Sequence, residues 1–162
     1  MKGFKNNKTK RRVIKKKKHT RKYKGGSTHA ANKLFEEFSK KPTEFSLEEV
    51  RNRISKLNEK SVNKEDKHGS TLLKQAIRHG DEEIVKLLLE KGADIHKKGN
   101  FGWTPLHSAV EFGNVEAVKL LLEKGAKIDI EDGLGYTPLE MAQEKLSRKL
   151  IPKEIVILLE KK

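Results

Sequence analysis

The sequence contains no cysteine, and its 162 residues include only one tryptophan, two tyrosines and six phenylalanines. The absence of cysteine excludes a disulfide framework, thiolate metal sites and a cysteine nucleophile. No apolar run approaches the about 18 residues that span a bilayer, and no short apolar core follows the basic start, so we expect neither a transmembrane segment nor a secretory signal. A length of 162 residues suits one domain with an appendage rather than two full domains, and 34% apolar residues are few for a globular core.

Acidic side chains are absent from residues 1–24, which contain thirteen lysines and arginines. Because the formal net charge of the whole chain is +14, the remaining residues are nearly neutral. The basic segment has too few apolar residues to offset the entropy of ordering, and its like charges repel. It ends at Gly25-Gly26-Ser27-Thr28, whose composition is that of a flexible hinge. We therefore predict a disordered basic tail over residues 1–28.

The tail contains a dense cluster of cations that resembles a nuclear import signal. Extended positive charge suits nucleic acid or an anionic surface equally well, through residues 2–24, and a purely solubilising tail is the remaining alternative. The expected location is the nucleus or cytoplasm of a cell or host cell. The basic residues on which this depends are Lys10, Arg11, Arg12, Lys15, Lys16, Lys17, Lys18, Arg21 and Lys22.

Beyond residue 60 the sequence repeats with a period of 33 residues. Glycines and alanines recur at this spacing, as Gly69, Gly102 and Gly135, and as Ala76, Ala109 and Ala142. Matches at one fixed period indicate an internal structural repeat. A single repeat cannot bury its own apolar face, so neighbouring repeats are expected to stack.

The second repeat shows what each unit encodes. Thr104 is suited to cap a helix that starts at Pro105, and Gly113 is suited to end that helix with a positive φ angle. A second helix follows before Gly125. The apolar residues expected to face inward are Leu106, Ala109 and Val110 on the first helix, and Val115, Val118, Leu121 and Leu122 on the second.

Three stretches carry a recognisable motif: Gly69-Ser-Thr-Leu-Leu-Lys-Gln-Ala76, Gly102-Trp-Thr-Pro-Leu-His-Ser-Ala109 and Gly135-Tyr-Thr-Pro-Leu-Glu-Met-Ala142. With these motifs, roughly residues 60–162 resemble ankyrin repeats. The resemblance implies an all-α solenoid of helix–turn–helix units with short β-hairpin fingers, acting as a protein-binding scaffold. We expect the chain to be a monomer. The expected organisation is a tail over 1–28, a divergent helical cap over 29–60, and repeats over 61–97, 98–130 and 131–162.

The chain departs from the family pattern at several positions. Leu72 and Lys74 replace the proline and histidine of the motif in the first repeat, and Glu140 replaces that histidine in the third. The second helix of the third repeat, expected over residues 152–161, arrives four residues late. In the second repeat the histidine is present as His107, and the resemblance implies that it hydrogen-bonds to the threonine of its own motif.

No catalytic motif, phosphate-binding glycine loop or metal-binding histidine pattern is present. We therefore expect no catalytic, cofactor or metal site and a non-enzymatic role. A basic segment ending in Gly25-Gly26 resembles the N-termini common in large DNA viruses, where some viral proteases cut double glycines. A giant virus is the first expected source, with an intracellular bacterium or a eukaryote as alternatives.

Ankyrin scaffolds usually bind partners through finger tips and first helices on a concave face. Carried onto this sequence, the expected contacts are Lys67, His68, Ser70, Arg78, His79, Asn100, Phe101, Trp103, Glu111, Phe112, Leu134 and Tyr136. The aromatic residues among them are expected to be exposed and to form an interface hot spot. The alternative is that Trp103 and Tyr136 pack between adjacent fingers. At the level of function, the alternative is a nucleic-acid-associated protein that acts mainly through its tail.

Overall fold

The computed structural model describes residues 26–38 and 47–162 of the chain. Those ranges contain one 3₁₀ turn, Asn100–Gly102, and no β-strand; an isolated bridge joins Glu65 and Thr71. The helices are α1 Gly26–Phe38, α2 Leu47–Ser55, α3 Glu59–Val62, α4 Leu72–His79, α5 Glu82–Glu90, α6 Pro105–Glu111, α7 Val115–Glu123, α8 Pro138–Ser147 and α9 Lys153–Glu160. The predicted tail up to Gly25 lies outside the described residues.

Helix α1 corrects the predicted end of the tail, because it begins at Gly26 and residues 26–28 are helical. Ala31 and Leu34 are fully buried and Phe35 is nearly so, as α1 packs against α2 and α4. These contacts hold the helix in place, and its first turn includes Gly26, Ser27 and Thr28. Local composition predicts a hinge there, but tertiary packing extends the helix.

The helices form two layers. The first helices α1, α4, α6 and α8 are successive neighbours in one layer, and the second helices α2, α5, α7 and α9 in the other. One continuous apolar core lies between the layers. Ala76, Ala109 and Ala142 are fully buried where the first helices stack, as expected for small residues that allow close approach. The predicted all-α repeat architecture is confirmed.

The second repeat has the helices and helix caps that its sequence predicts. Thr104 caps α6 by accepting a hydrogen bond from the backbone N–H of His107, and Gly113 adopts a φ of 64° beyond the end of that helix. Asn114 then caps α7. All the residues predicted to face inward are buried except Val115, which is half-buried. In the third repeat, α9 begins at Lys153 without a side-chain cap, after the four-residue delay.

The fingers are three equivalent hydrogen-bonded turns rather than pairs of strands. In each, a backbone N–H donates to the carbonyl oxygen four residues later: Asp66 to Ser70 (2.9 Å), Gly99 to Trp103 (3.0 Å) and Asp132 to Tyr136 (2.8 Å). These donors are spaced by the 33-residue period, as are their acceptors. Each finger is therefore closed by the same backbone hydrogen bond beside the start of the first helix of its repeat.

Neighbouring fingers contact each other through their backbones. The N–H of Gly133 donates to the carbonyl oxygen of Phe101 at 2.7 Å. Gly102, with a φ of 70°, lies so close that a Cβ atom there would be 2.6 Å from the backbone nitrogen of Gly133. Two constraints therefore require glycine at residue 102: the left-handed backbone and the close approach of the next finger.

Gly102→Ala tests whether the close finger contact stabilises the stack. Gly125 is a matched control, because its φ is 85° and a Cβ there would meet nothing within 4 Å. Both substitutions should cost about 1–2 kcal/mol of unfolding free energy for the left-handed backbone. Gly102→Ala should cost about 1–3 kcal/mol more, because the finger must shift. Urea unfolding followed by circular dichroism measures both free energies of unfolding. Equal losses in the two variants would show that the close finger contact does not stabilise the stack.

Candidate protein-binding surface

Two cavities open on the side of the molecule formed by the fingers and the first helices. The first, of about 270 Å³, lies between the first two repeats and is lined from the finger loops, α4 and the region around α6. The second, of about 470 Å³, lies between the second and third repeats. Phe101 and Trp103 line both cavities and form the wall between them.

The structure gathers most of the predicted contact residues around these cavities. Ten of the twelve line at least one of them, whereas Lys67, which is exposed, and His79, which is half-buried, line neither. The first cavity has His68, Ser70, Arg78, Asn100, Phe101, Trp103 and Phe112; the second adds Glu111, Leu134 and Tyr136. Their role in binding stays a prediction.

Three of the four predicted aromatic residues are exposed. Phe101 is 75% exposed and adopts a φ of 61°, while Phe112 and Tyr136 are each 48% exposed. Trp103 is different and corrects the expectation, because it is half-buried against the core. Its indole Nε1–H donates to Asp132 of the next finger at 3.2 Å, and its ring centroid lies 5.7 Å from that of Phe101. Trp103 thus joins two fingers and supports Phe101.

Asp132 is held by several donors. Its Oδ1 accepts hydrogen bonds from the backbone N–H groups of Leu134 (2.8 Å) and Tyr136 (3.0 Å), in addition to the Trp103 contact at Oδ2. Burial alone would raise the pKa of Asp132, but these hydrogen bonds lower it below its ordinary value. This carboxylate is therefore charged and already satisfied within the second cavity.

His107 links the second repeat to the third. Its Nδ1 lies 2.8 Å from the hydroxyl of Thr104, and its Nε2 lies 2.9 Å from the carbonyl oxygen of Tyr136. Since a carbonyl only accepts, Nε2 carries the proton and Nδ1 accepts from the backbone N–H of Thr104. Burial lowers the pKa of His107, although the Tyr136 contact opposes this shift. The predicted bond to Thr104 is present, and the ring also bridges two repeats.

The repeats can now be compared with known proteins. A family model described as ankyrin repeats, present in many copies, matches residues 72–122 and again residues 106–143. The chain is an ankyrin-repeat protein. No curated protein matches it. Ankyrin repeats are generally non-catalytic interaction modules, and the role they support here is protein–protein interaction.

None of the described helices is long and apolar enough to cross a bilayer. Within the same residues, no group of three or more histidine and acidic side chains is arranged to hold a metal ion.

The ankyrin motif position occupied by His107 is filled differently in each repeat. In the third repeat Glu140 accepts from the backbone N–H and the hydroxyl of Thr137, both at 2.8 Å. In the first repeat Lys74 occupies this position and is only 7% exposed. Burial lowers the pKa of Lys74 to about 8, with Glu65 opposing and Lys97 adding to the shift. Lys74 therefore pays a desolvation cost that His107 avoids.

Sequence reasoning missed several residues that line the cavities: Lys74, Gln75, Ser108, Asp132 and Met141. For Lys74 a signal was present, since a lysine replaces the motif histidine. The others lie at positions whose exposure depends on how far adjacent repeats separate. Spacing along one repeat does not encode that separation.

His107 predicts a pH dependence of stability. The unfolded chain protonates this histidine below about pH 6.5, whereas the folded chain, in which its pKa is lowered, resists protonation. The His107 contribution is therefore intact above pH 6.5 and is lost as the pH falls toward the folded-state pKa. The free energy of unfolding should drop more between pH 7.5 and 5.5 for the native chain than for His107→Gln. Urea unfolding at both pH values measures this, with the exposed His29→Gln as control; identical pH dependence in all three chains would contradict it.

Lys74→His should stabilise the chain by about 1 kcal/mol, since it adds a hydrogen bond and removes a buried cation. The expected acceptor is the carbonyl oxygen of Trp103, which is one period before Tyr136. Lys74→Met, which removes the charge without adding a donor, separates the two effects. Thermal and urea unfolding measure the change. If both variants are less stable than the native chain at pH 7, Lys74 itself stabilises the fold and the interpretation is wrong.

Proposed function

We propose that this ankyrin stack binds a partner protein on the surface that carries Phe101, Phe112, Tyr136 and the two cavities. The observation that carries the proposal is the position of Phe101. Its ring is largely exposed and stands on the wall shared by both cavities. Aromatic residues beside pockets are typical anchors of protein interfaces, where burial on binding supplies most of the affinity.

The backbone of Phe101 supports the same proposal. A φ of 61° is costly for a residue with a side chain, by about 1–2 kcal/mol, and this one buries little apolar surface in return. A strained, exposed aromatic residue is favoured where its exposure serves a contact.

The exposed aromatic residues give a direct test. Phe101→Ala together with Phe112→Ala should weaken capture of the partner at least tenfold, because each truncation removes apolar area from the interface. The matched control is Leu47→Ala with Ile157→Ala, two partly exposed apolar residues on the second-helix layer, 40% and 37% exposed. Affinity capture from cell lysate with the full chain, quantified by mass spectrometry, provides the measurement. Urea unfolding should show that both double variants remain folded.

The same experiment addresses the tail. In our proposal the tail attaches the chain electrostatically or directs it to the nucleus, while the repeats select the partner. A full chain with Lys15, Lys16, Lys17 and Lys18 changed to glutamine should keep its captured protein and lose affinity for duplex DNA. If the tail variant loses the captured protein while the Phe101 and Phe112 variant keeps it, the chain acts mainly through its tail.

A further inference from the structure

The first cavity has an unbalanced charge. Lys74, Arg78 and His68 line it, and no acidic side chain does. Arg78 is exposed and makes no ion pair within the described residues. Lys74 forms no ion pair within these residues either, and the nearby Glu65 pairs with Lys97 at 3.4 Å. Two cations of α4 therefore line the same cavity without an ion-pair partner among the described residues.

The second cavity has charges that are already paired. Its acidic residues are Glu111, Asp132 and Glu144. Glu111 pairs with Lys145 at 2.9 Å, and Glu144 pairs with Arg148 at 3.1 Å. Asp132 accepts three hydrogen bonds from its own finger and Trp103. The two cavities therefore differ, and only the first offers unmatched charge to a ligand.

Lys74 is accommodated by a second change in the repeat pattern. Residue 99 is glycine, whereas the equivalent finger positions are Asp66 and Asp132. A Cβ at residue 99 would collide with the Lys74 ammonium and lie 2.5 Å from the carbonyl oxygen of Gly69. Glycine at residue 99 therefore leaves space for the Lys74 ammonium group, and the second finger lacks the aspartate that caps the other two fingers. A costly buried cation with space made for it points to a ligand contact.

We propose that the first cavity binds the carboxylate of an aspartate or glutamate in the partner protein, through Lys74 and Arg78. A large apolar side chain close to that carboxylate in the partner sequence packs on Phe101 and Phe112, which line the same cavity. The inference rests on the proposed function and specifies the chemistry of the segment that this surface recognises.

The composition of the cavity favours a carboxylate over a phosphate. It offers one guanidinium and one ammonium group among aromatic walls, whereas phosphorylated segments are recognised by clusters of arginines. A carboxylate carries a single charge and accepts from both groups. The polar residues Ser70, Gln75 and Asn100 complete the rim with neutral groups.

Selection of short random peptides on the full chain tests the proposal without knowledge of the natural partner. Selected peptides should be enriched in aspartate or glutamate near a large apolar residue. For the tightest peptide, changing its acidic residue to the corresponding amide should weaken binding to the native chain about tenfold or more. The same change should have little effect on Lys74→Met/Arg78→Gln, because the carboxylate then has no partner. Fluorescence anisotropy at physiological salt measures the affinity of the acidic peptide and of its amide variant for each chain.

The matched control is Lys86→Met/Lys124→Gln, which removes two exposed cations from the second-helix layer. All variants retain the basic tail, so its attraction for acidic peptides is common to every measurement. The proposal is overturned if selected peptides lack acidic residues, if the control weakens binding as much as Lys74→Met/Arg78→Gln, or if a phosphoserine peptide binds and the aspartate peptide does not. Peptides that depend on Phe101 and Phe112 but not on the cations overturn this inference alone. If peptide binding is unchanged both by Lys74→Met/Arg78→Gln and by substitution of Phe101 and Phe112, the proposed function is contradicted as well.

Discussion

The close stacking of α4, α6 and α8 is the constraint on which the rest of this structure depends. Each helix pair leaves an apolar face that only the next pair covers, and fully buried alanines at the 33-residue period allow the helices to approach. Stacking at this distance also brings the finger loops into backbone contact. Gly102 and Gly133 are glycines because two main chains meet there. The cavities are the spaces that remain between successive fingers and first helices.

One motif position holds a different residue in each of the three repeats. His107 has a following finger to contact, so its ring bridges Thr104 and Tyr136. Glu140 caps its own helix by accepting from the backbone N–H and the hydroxyl of Thr137. Lys74 does have a following finger, yet it remains a partly desolvated cation at the edge of a cavity. The first two choices follow from stability, and the third is explained by recognition of an anionic group.

Much of the fold could be predicted from the sequence, because an ankyrin repeat carries its caps, glycines and apolar positions at a fixed period. The gathering of candidate contacts around two cavities also followed largely from motif position. What could not be predicted depends on residues distant in the sequence. Trp103 is half-buried because Asp132 of the next finger accepts its N–H, and α1 extends to Gly26 because Ala31 and Leu34 pack on other helices. Local composition contains neither contact.

Amide hydrogen exchange of the full chain, with and without a bound peptide selected as described, tests the central claim most directly. The account predicts slower exchange on binding in the fingers over residues 66–70 and 99–103 and in α4 and α6, with α7 and α9 unchanged. Protection confined to the second helices, or to residues 1–25, would contradict the assignment of recognition to the surface formed by the fingers and first helices.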